Sequence, residues 1–224
     1  MKLYHDPLSA QSRAIRCFLI DEGIPFDEEV IDLASGDQFA KGYDKVNPNR
    51  QVPVLEDDGF FLTESSAILK YLADKYSSLS YPEGLQARAR VNEALDWFNT
   101  GFLFGFCYFG VYLRIVPDFS ALNATTHTDL GRLGAAKTQK YMTVLNGQML
   151  GSRACVCGDE ISIADYFGAA LVNMGTAIDF DFSAYPNVAA WLRRMKQRPG
   201  WEPAHAGFNG LVSALRHAPN ALAS

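Results

Sequence analysis

The run Asn47-Pro48-Asn49-Arg50-Gln51-Val52-Pro53-Val54-Leu55-Glu56-Asp57-Asp58-Gly59-Phe60-Phe61-Leu62-Thr63-Glu64-Ser65-Ser66 carries the clearest structural signal in the chain. Pro53 has no N–H to give to a ladder, so it belongs at a strand start or edge, and the strand it opens is Val54 to Glu56. Asp58-Gly59 makes a two-residue hairpin turn into Phe60-Phe61-Leu62. Behind the hairpin, Glu64 to Tyr76 places Ile68, Leu69 and Leu72 on one face, the pattern of an amphipathic helix.

Toward the amino terminus, Leu3-Tyr4 opens a strand and Ser12 to Glu22 spaces Ile15, Phe18 and Leu19 as a helix, with Gly23 as its left-handed stop. Phe26 to Ile31 reads as a second strand and Asp37 to Tyr43 as a short irregular helix. The order β-α-β, crossover, β-β-α predicts a small mixed sheet covered by helices over residues 1–76.

Toward the carboxyl terminus, residues 77–84 (Ser77-Ser78-Leu79-Ser80-Tyr81-Pro82-Glu83-Gly84) are rich in turn formers and lack an apolar period, which marks a linker. Residues 85–224 then read as helix throughout. Gln86 to Arg114 predicts one long helix bent near its glycines, and Thr128 to Leu150 a second. Ser162-Ile163-Ala164-Asp165 is a capping box opening a third, with Ile161 and Tyr166 placed for a hydrophobic staple. Pro186 starts another, ended by Pro199-Gly200, and Asn209 to Arg216 makes a final short one.

Composition narrows the function. The 224 residues carry 20 Lys+Arg against 25 Asp+Glu, a net charge of -5, and no basic run able to neutralise phosphates, so the reading is no nucleic acid. The uncharged stretch Trp97 to Leu113 contains Asn99, Thr100 and three glycines and falls short of the ~18 residues of a span, so it reads as a buried helix, with no membrane partner. The segment from Met1 to Pro7 lacks a secretory apolar core, which predicts a cytoplasmic protein. Cys17, Cys107, Cys155 and Cys157 are too sparse for a disulfide framework, and Cys155-Val156-Cys157 has neither redox nor zinc spacing, so no metal is expected.

Familiar catalytic signatures are missing: there is no nucleophile elbow, no zincin pair, no Walker loop and no dinucleotide fingerprint. Candidates therefore lie on loops and helix starts. Ser9 stands near the amino end of the first helix, where unpaired N–H groups and the dipole favour an anion such as a thiolate; it also reads as a plain turn serine, with Ser12 the expected N-cap. A cis bond between Val52 and Pro53 would leave the Val52 backbone free to pair with an extended peptide, against the alternative of a trans proline ending a loop. Thr63-Glu64-Ser65-Ser66 offers helix-start N–H groups to a carboxylate and Glu64 to an ammonium, or simply caps the helix. Trp97, Phe98, Phe102, Phe104, Phe106, Tyr108, Phe109 and Tyr112 put more aromatic surface on one helix than a single core stripe holds, leaving some for a pocket or a subunit contact.

Taken together, Ser9-Ala10-Gln11-Ser12-Arg13, Asn47 to Leu55, Leu62 to Ile68 and Gly158 to Asp165 resemble the soluble, cytosolic-type glutathione S-transferase family, in family order over nearly the whole chain. Within it they look like bacterial members of the theta-like and delta-like serine classes. The resemblance implies an α/β thioredoxin-like N-terminal domain that binds glutathione, an all-α C-terminal domain that holds a small hydrophobic electrophile, a homodimer, and glutathione as co-substrate. By position it makes Ser9 the catalytic hydrogen-bond donor to the glutathione sulfur, with Tyr4 as the rival donor. It assigns glutathione contacts to Gln38, Gln51, Val52, Pro53, Glu64 and Ser65. Phe104, Tyr108 and Tyr112 become the hydrophobic-substrate candidates, with Trp201 more distant. No cysteine stands at the Ser9 turn, which weakens a disulfide-reductase reading, and the turn departs from the isomerase relatives. A non-catalytic binding module of the same fold, and a glutathione-dependent dehalogenase or peroxidase, are the alternatives.

Overall fold

The computed structural model describes residues 1–217. Its first part contains β1 (Lys2–His5), α1 (Ala10–Asp21), β2 (Asp27–Val30), a 3₁₀ turn (Asp37–Phe39), α2 (Tyr43–Val46), β3 (Val54–Asp57), β4 (Phe60–Leu62) and α3 (Ser65–Lys75). The sheet order is β2-β1-β3-β4. β2 lies parallel to β1 because α1 carries the chain back across the sheet, whereas β3 and β4 are antiparallel neighbours. Asp58 and Gly59 have φ of 50° and 82°, the pair of left-handed residues that a tight hairpin turn demands. Strand alternation sends Leu3 and Leu55 into the main core under α1 and α3, while Tyr4 and Val54 face the other side with Ile31 and Tyr43.

Ser9, not Ser12, caps α1. The Ser9 backbone is extended (φ -66°, ψ 122°) and its oxygen accepts the Ser12 N–H, whereas Ser12 is already helical and buried. The Ser12 hydroxyl instead accepts from Asp6 N–H at 3.4 Å.

The second part is helical. α4 (Leu85–Trp97) continues as a wide i→i+5 winding over Phe98–Tyr112 and closes with the turn Leu113–Ile115; α5 (Ala124–Val144) continues in the same wide form over Leu145–Leu150. α6 (Ile163–Asn173) runs into a 3₁₀ turn (Met174–Ile178), and α7 (Pro186–Lys196) and α8 (Trp201–His217) complete the domain. α5 starts four residues ahead of the expected Thr128, because Asn123 caps it by accepting the Thr126 N–H at 2.9 Å. α8 starts at Trp201 rather than Asn209, with Pro203 in its first turn, where a missing N–H breaks no helical bond. Gly134 of α5 lets its backbone touch that of the wide winding: a Cβ there would fall 2.3 Å from the Phe109 carbonyl oxygen. Among the described residues, no helix is long and apolar enough to cross a membrane.

α6 is buried on every side and explains the late capping box. The Asp165 carboxylate accepts from Ser162 N–H and Oγ (both 2.8 Å), Val156 N–H (2.9 Å) and Trp191 Nε1 (2.9 Å). Burial raises its pKa while those four donors pull it back down. One core runs through both parts, joining Leu3, Ile15 and Phe18 to Phe98, Phe102 and Trp191. A polar clamp reinforces it: the fully buried Asp21 side chain of α1 accepts from Tyr166 Oη (2.9 Å), Arg198 Nε (2.7 Å) and Gly200 N–H (2.6 Å).

Candidate functional site

Sheet topology gathers the candidate segments at one end. β1 and its parallel neighbour β2 both leave there, into the Asp6–Ser9 loop and the Asp32–Gln38 loop. The antiparallel β3 enters at that end behind Val52-Pro53, with Val54 paired to Tyr4. β4 leaves beside the start of β3, Leu62 opposite Leu55, and delivers Thr63, Glu64 and Ser65. Four loops from distant stretches of chain thus share one end of the sheet.

At its centre is Ser9. Its Oγ accepts the Ser12 N–H at 3.3 Å, which engages a lone pair and leaves the hydroxyl proton free to donate. The cap and the Ser9 carbonyl, which accepts the Arg13 N–H at 3.0 Å, leave the Ala10 and Gln11 N–H groups without a helical partner. The positive end of α1 therefore lies beside a hydroxyl donor. Arg13, one turn further in, is fully buried: one guanidinium nitrogen lies 2.8 Å from Met174 Sδ, and the group sits 3.9 Å over the Phe208 ring. Its Nε and Nη1 have no partner among the described residues, and burial lowers its pKa to about 9, still cationic near neutrality. No local pattern marks Arg13 as interior: its neighbours at helical spacing form an ordinary amphipathic face.

Asp6 was also missed. Its 4% exposed carboxylate accepts Leu8 N–H at 2.6 Å and Leu33 N–H at 3.1 Å, and its carbonyl accepts Ser9 N–H at 3.1 Å. The Asp6-Pro7 pair was the available signal, since Asp-Pro favours turn initiation.

The Val52-Pro53 bond is cis. Val52 lies outside the named strands and makes no other backbone hydrogen bond among the described residues. The loop before it is fixed by Asn47, whose amide donates to the Gln51 carbonyl at 2.8 Å, and by Tyr43 Oη, which donates to the same oxygen at 2.9 Å. The Gln51 side chain is exposed. Gln38 is drawn to this loop through Arg50, which donates to the Gln38 carbonyl at 3.2 Å; the Gln38 Oε1 is buried without a donor. Glu64, exposed and at φ 66°, ψ 113°, stands as N-cap of α3 without a side-chain bond. A non-glycine residue in that sparsely populated region is the kind of local strain that collects at ligand sites. The first helical bond is Ile68 N–H to Glu64 O, so the N–H groups of Ser65, Ser66 and Ala67 have no helical partner.

Tyr4 is placed differently. Its hydroxyl donates to Glu56 Oε2 at 2.7 Å and its ring packs edge-on to Tyr43, in the small cluster on the sheet face away from the main core.

The aromatic helix divides its surface. Phe98, Phe102 and Phe106 are buried and pack in succession, the first pair edge-on and the second tilted, 5.5 and 5.1 Å between ring centres. Phe104, Tyr108 and Tyr112 form a second ladder at 5.1 and 5.3 Å, running from 54% exposed at Phe104 to half-buried at Tyr112. Trp201 does not join it: it is buried and stacked on His205 at 3.7 Å. A separate cavity of about 470 Å³ lies between Phe106 and Gly110 of the wide winding, Arg114 just beyond it, Thr138 of α5, and Phe180 and Tyr185; it includes none of the candidate glutathione or electrophile contacts.

All four cysteines are free, and burial raises the thiols of Cys155 and Cys157 to about 12 and 11, the opposite of a reactive pair.

Two family models match the chain: glutathione S-transferase, N-terminal domain, over residues 3–80, and glutathione S-transferase, C-terminal domain, over residues 134–199. The chain belongs to the glutathione S-transferase family. Glutathione S-transferase theta-3 of Mus musculus is 34% identical over 204 residues, which cover 89% of this chain and 83% of that protein. Human glutathione transferase theta-2, solved with glutathione and an unknown ligand, superposes with a TM-score of 0.85 at 28% identity over 95% of this chain and 88% of its own. The human theta-class enzyme in complex with the glutathione conjugate of 1-menaphthyl sulfate gives 0.86 at 27% identity, over 99% and 91%. The thioredoxin-like domain followed by a helical domain is thus the family architecture. The relatives named are mammalian, with no bacterial protein among them.

Proposed function

We propose that this glutathione S-transferase is a serine-type, theta-like enzyme in which Ser9 stabilises the thiolate of glutathione for attack on a hydrophobic electrophile. The observation that carries the reading is the Ser9 cap geometry: the Ser12 N–H anchors the oxygen at the start of α1 and leaves the hydroxyl proton uncommitted, free to turn toward a ligand sulfur. A thiol with an ordinary pKa near 8.5 is mostly protonated at neutral pH. One charge-assisted hydrogen bond, roughly 1.5–3 kcal/mol, lowers it by one to two units, and the positive start of α1 and buried Arg13 add in the same direction.

The tripeptide lies along the shared cleft edge. Its cysteinyl part pairs with the Val52 backbone ahead of Pro53, its γ-glutamyl group takes the free N–H groups at Ser65 and the Glu64 carboxylate, and its glycyl end meets Gln38 and Gln51. The first domain, 1–76, binds glutathione; the helical domain, 85–224, of which positions 218–224 lie outside the described residues, holds the electrophile along Phe104, Tyr108 and Tyr112. The chain works as a cytoplasmic homodimer without a metal. Tyr4 is not the donor, since its hydroxyl proton is already given to Glu56.

Alkyl or aryl transfer to sulfur is favoured by a broad, partly exposed aromatic ladder that accepts flat apolar groups. A panel of aryl halide, haloalkane, epoxide and hydroperoxide substrates tests this against the dehalogenase and peroxidase readings. Titration calorimetry with glutathione tests it against the non-catalytic one.

A further inference from the structure

We infer that Asp6 is a positioning residue for this chemistry: its buried carboxylate locks the Ser9 turn and the Asp32–Gln38 loop to each other, setting the spacing between the sulfur end and the glycyl end of the cleft. The inference rests on the proposed glutathione reading. Its geometry is specific. Oδ1 takes the Leu8 N–H at 2.6 Å, within the turn that presents Ser9, while Oδ2 takes the Leu33 N–H at 3.1 Å, 27 residues away. The Asp6 carbonyl holds the Ser9 N–H and the Asp6 N–H reaches Ser12 Oγ, so three groups of this residue converge on the α1 cap.

The far loop is itself stiff. Asp32 accepts from Ala34 N–H (2.9 Å), Ser35 N–H (3.2 Å) and Ser35 Oγ (2.7 Å), and its own N–H is held by Asp37 at 3.0 Å. Gln38 Nε2 leans on the Leu33 carbonyl at 3.4 Å, so the peptide units on either side of Leu33 tie Asp6 to Gln38. A stiff loop hinged on one carboxylate moves as a unit when that carboxylate is altered. Both Asp6 oxygens are needed, because each takes a different N–H. An amide in its place turns one acceptor into a donor that faces an N–H, breaking one arm without changing side-chain size.

The test is Asp6→Asn in the full-length enzyme, with kcat, KM for glutathione and the pH profile of kcat/KM measured beside wild type. The expected result is a fall in kcat of about tenfold, a several-fold rise in KM for glutathione, and a shift of the thiol ionisation to higher pH, as one charge-assisted bond is lost from the support of the Ser9 turn. A variant that loses only thermal stability, with kcat, KM and pH profile unchanged, overturns the inference. Should the variant fail to fold, hydrogen exchange on the wild-type protein decides. Saturating glutathione is expected to increase protection of the Leu8 and Leu33 amides together, and protection of one without the other refutes the linkage. Absence of any heat on titrating glutathione into wild type would defeat the proposed function instead, so the two failures are distinct.

Discussion

Ser9 Oγ lies 3.3 Å from the Ser12 amide and accepts a hydrogen bond from it, so the hydroxyl proposed to hold the glutathione sulfur is also the cap of α1. The proposal makes structural and chemical roles meet in one atom. A side chain with an acceptor and no proton to give would keep the cap and lose the chemistry, whereas alanine loses both.

For Ser9→Ala, turnover with an aryl halide falls about 10–100-fold, the loss of one charge-assisted hydrogen bond in the reacting state. Stability falls by about 1 kcal/mol from the missing cap. Glutathione affinity, carried by the backbone and γ-glutamyl contacts, stays near wild type. Ser9→Asp separates the roles: urea unfolding should show the cap restored, and kinetics should show turnover still lost.

For Tyr4→Phe, steady-state kinetics should show turnover unchanged. Among the described residues the one hydrogen bond lost is to Glu56, a cost of about 1 kcal/mol read by urea unfolding. A loss of turnover comparable to that of Ser9→Ala would transfer the donor role to Tyr4.

The Asp21 clamp predicts a stability effect far from chemistry. Asp21→Ala orphans the Gly200 N–H and removes the acceptor of the Tyr166 hydroxyl proton, although Tyr166 Oη still accepts from Arg198, and leaves Arg198 without its carboxylate; the expected loss is about 2–3 kcal/mol, kept modest because Arg198 is partly exposed to solvent. In denaturant titrations this should appear as a lower midpoint, with kcat per folded molecule retained.

His205 supplies a pH dependence. Burial, followed by the nearby positive charge of Arg13, pushes its pKa down to about 3 from the usual 6.5, so the folded protein resists a proton that the unfolded chain accepts. Stability from this group is therefore complete above pH 6.5 and declines as pH falls toward 3, by about 2 kcal/mol between pH 6.5 and 4.5. His205→Gln should flatten that part of the stability profile in urea titrations at the two pH values. An unchanged slope would mean the imidazole titrates normally.

Much of this molecule was legible from its residues, and the reasons differ by element. The hairpin was readable because Asp58-Gly59 has one favoured conformation, and the Ser162–Asp165 box because its two side chains must face each other three residues apart. The α1 cap was misassigned because Ser9 and Ser12 are the same residue type one turn apart; choosing between them requires knowing that Asp6 holds the Ser9 N–H. The pattern places the last helix at Asn209 to Arg216, eight residues short of its true start at Trp201; Pro203 sits in the first turn, which tolerates a missing N–H. Which aromatics face outward depends on the wide winding of residues 98–112, and no local pattern announces that geometry. The interior placement of Arg13 is set by Met174 and Phe208, both more than 150 residues away.

The ionisation of glutathione bound to the enzyme bears most directly on the whole account, and thiolate ultraviolet absorbance followed against pH measures it. A bound thiol that ionises one to two units below its free value, with most of that shift gone in Ser9→Ala, is the predicted result. A bound thiol that ionises at its free value, or a shift untouched by Ser9→Ala, would contradict it.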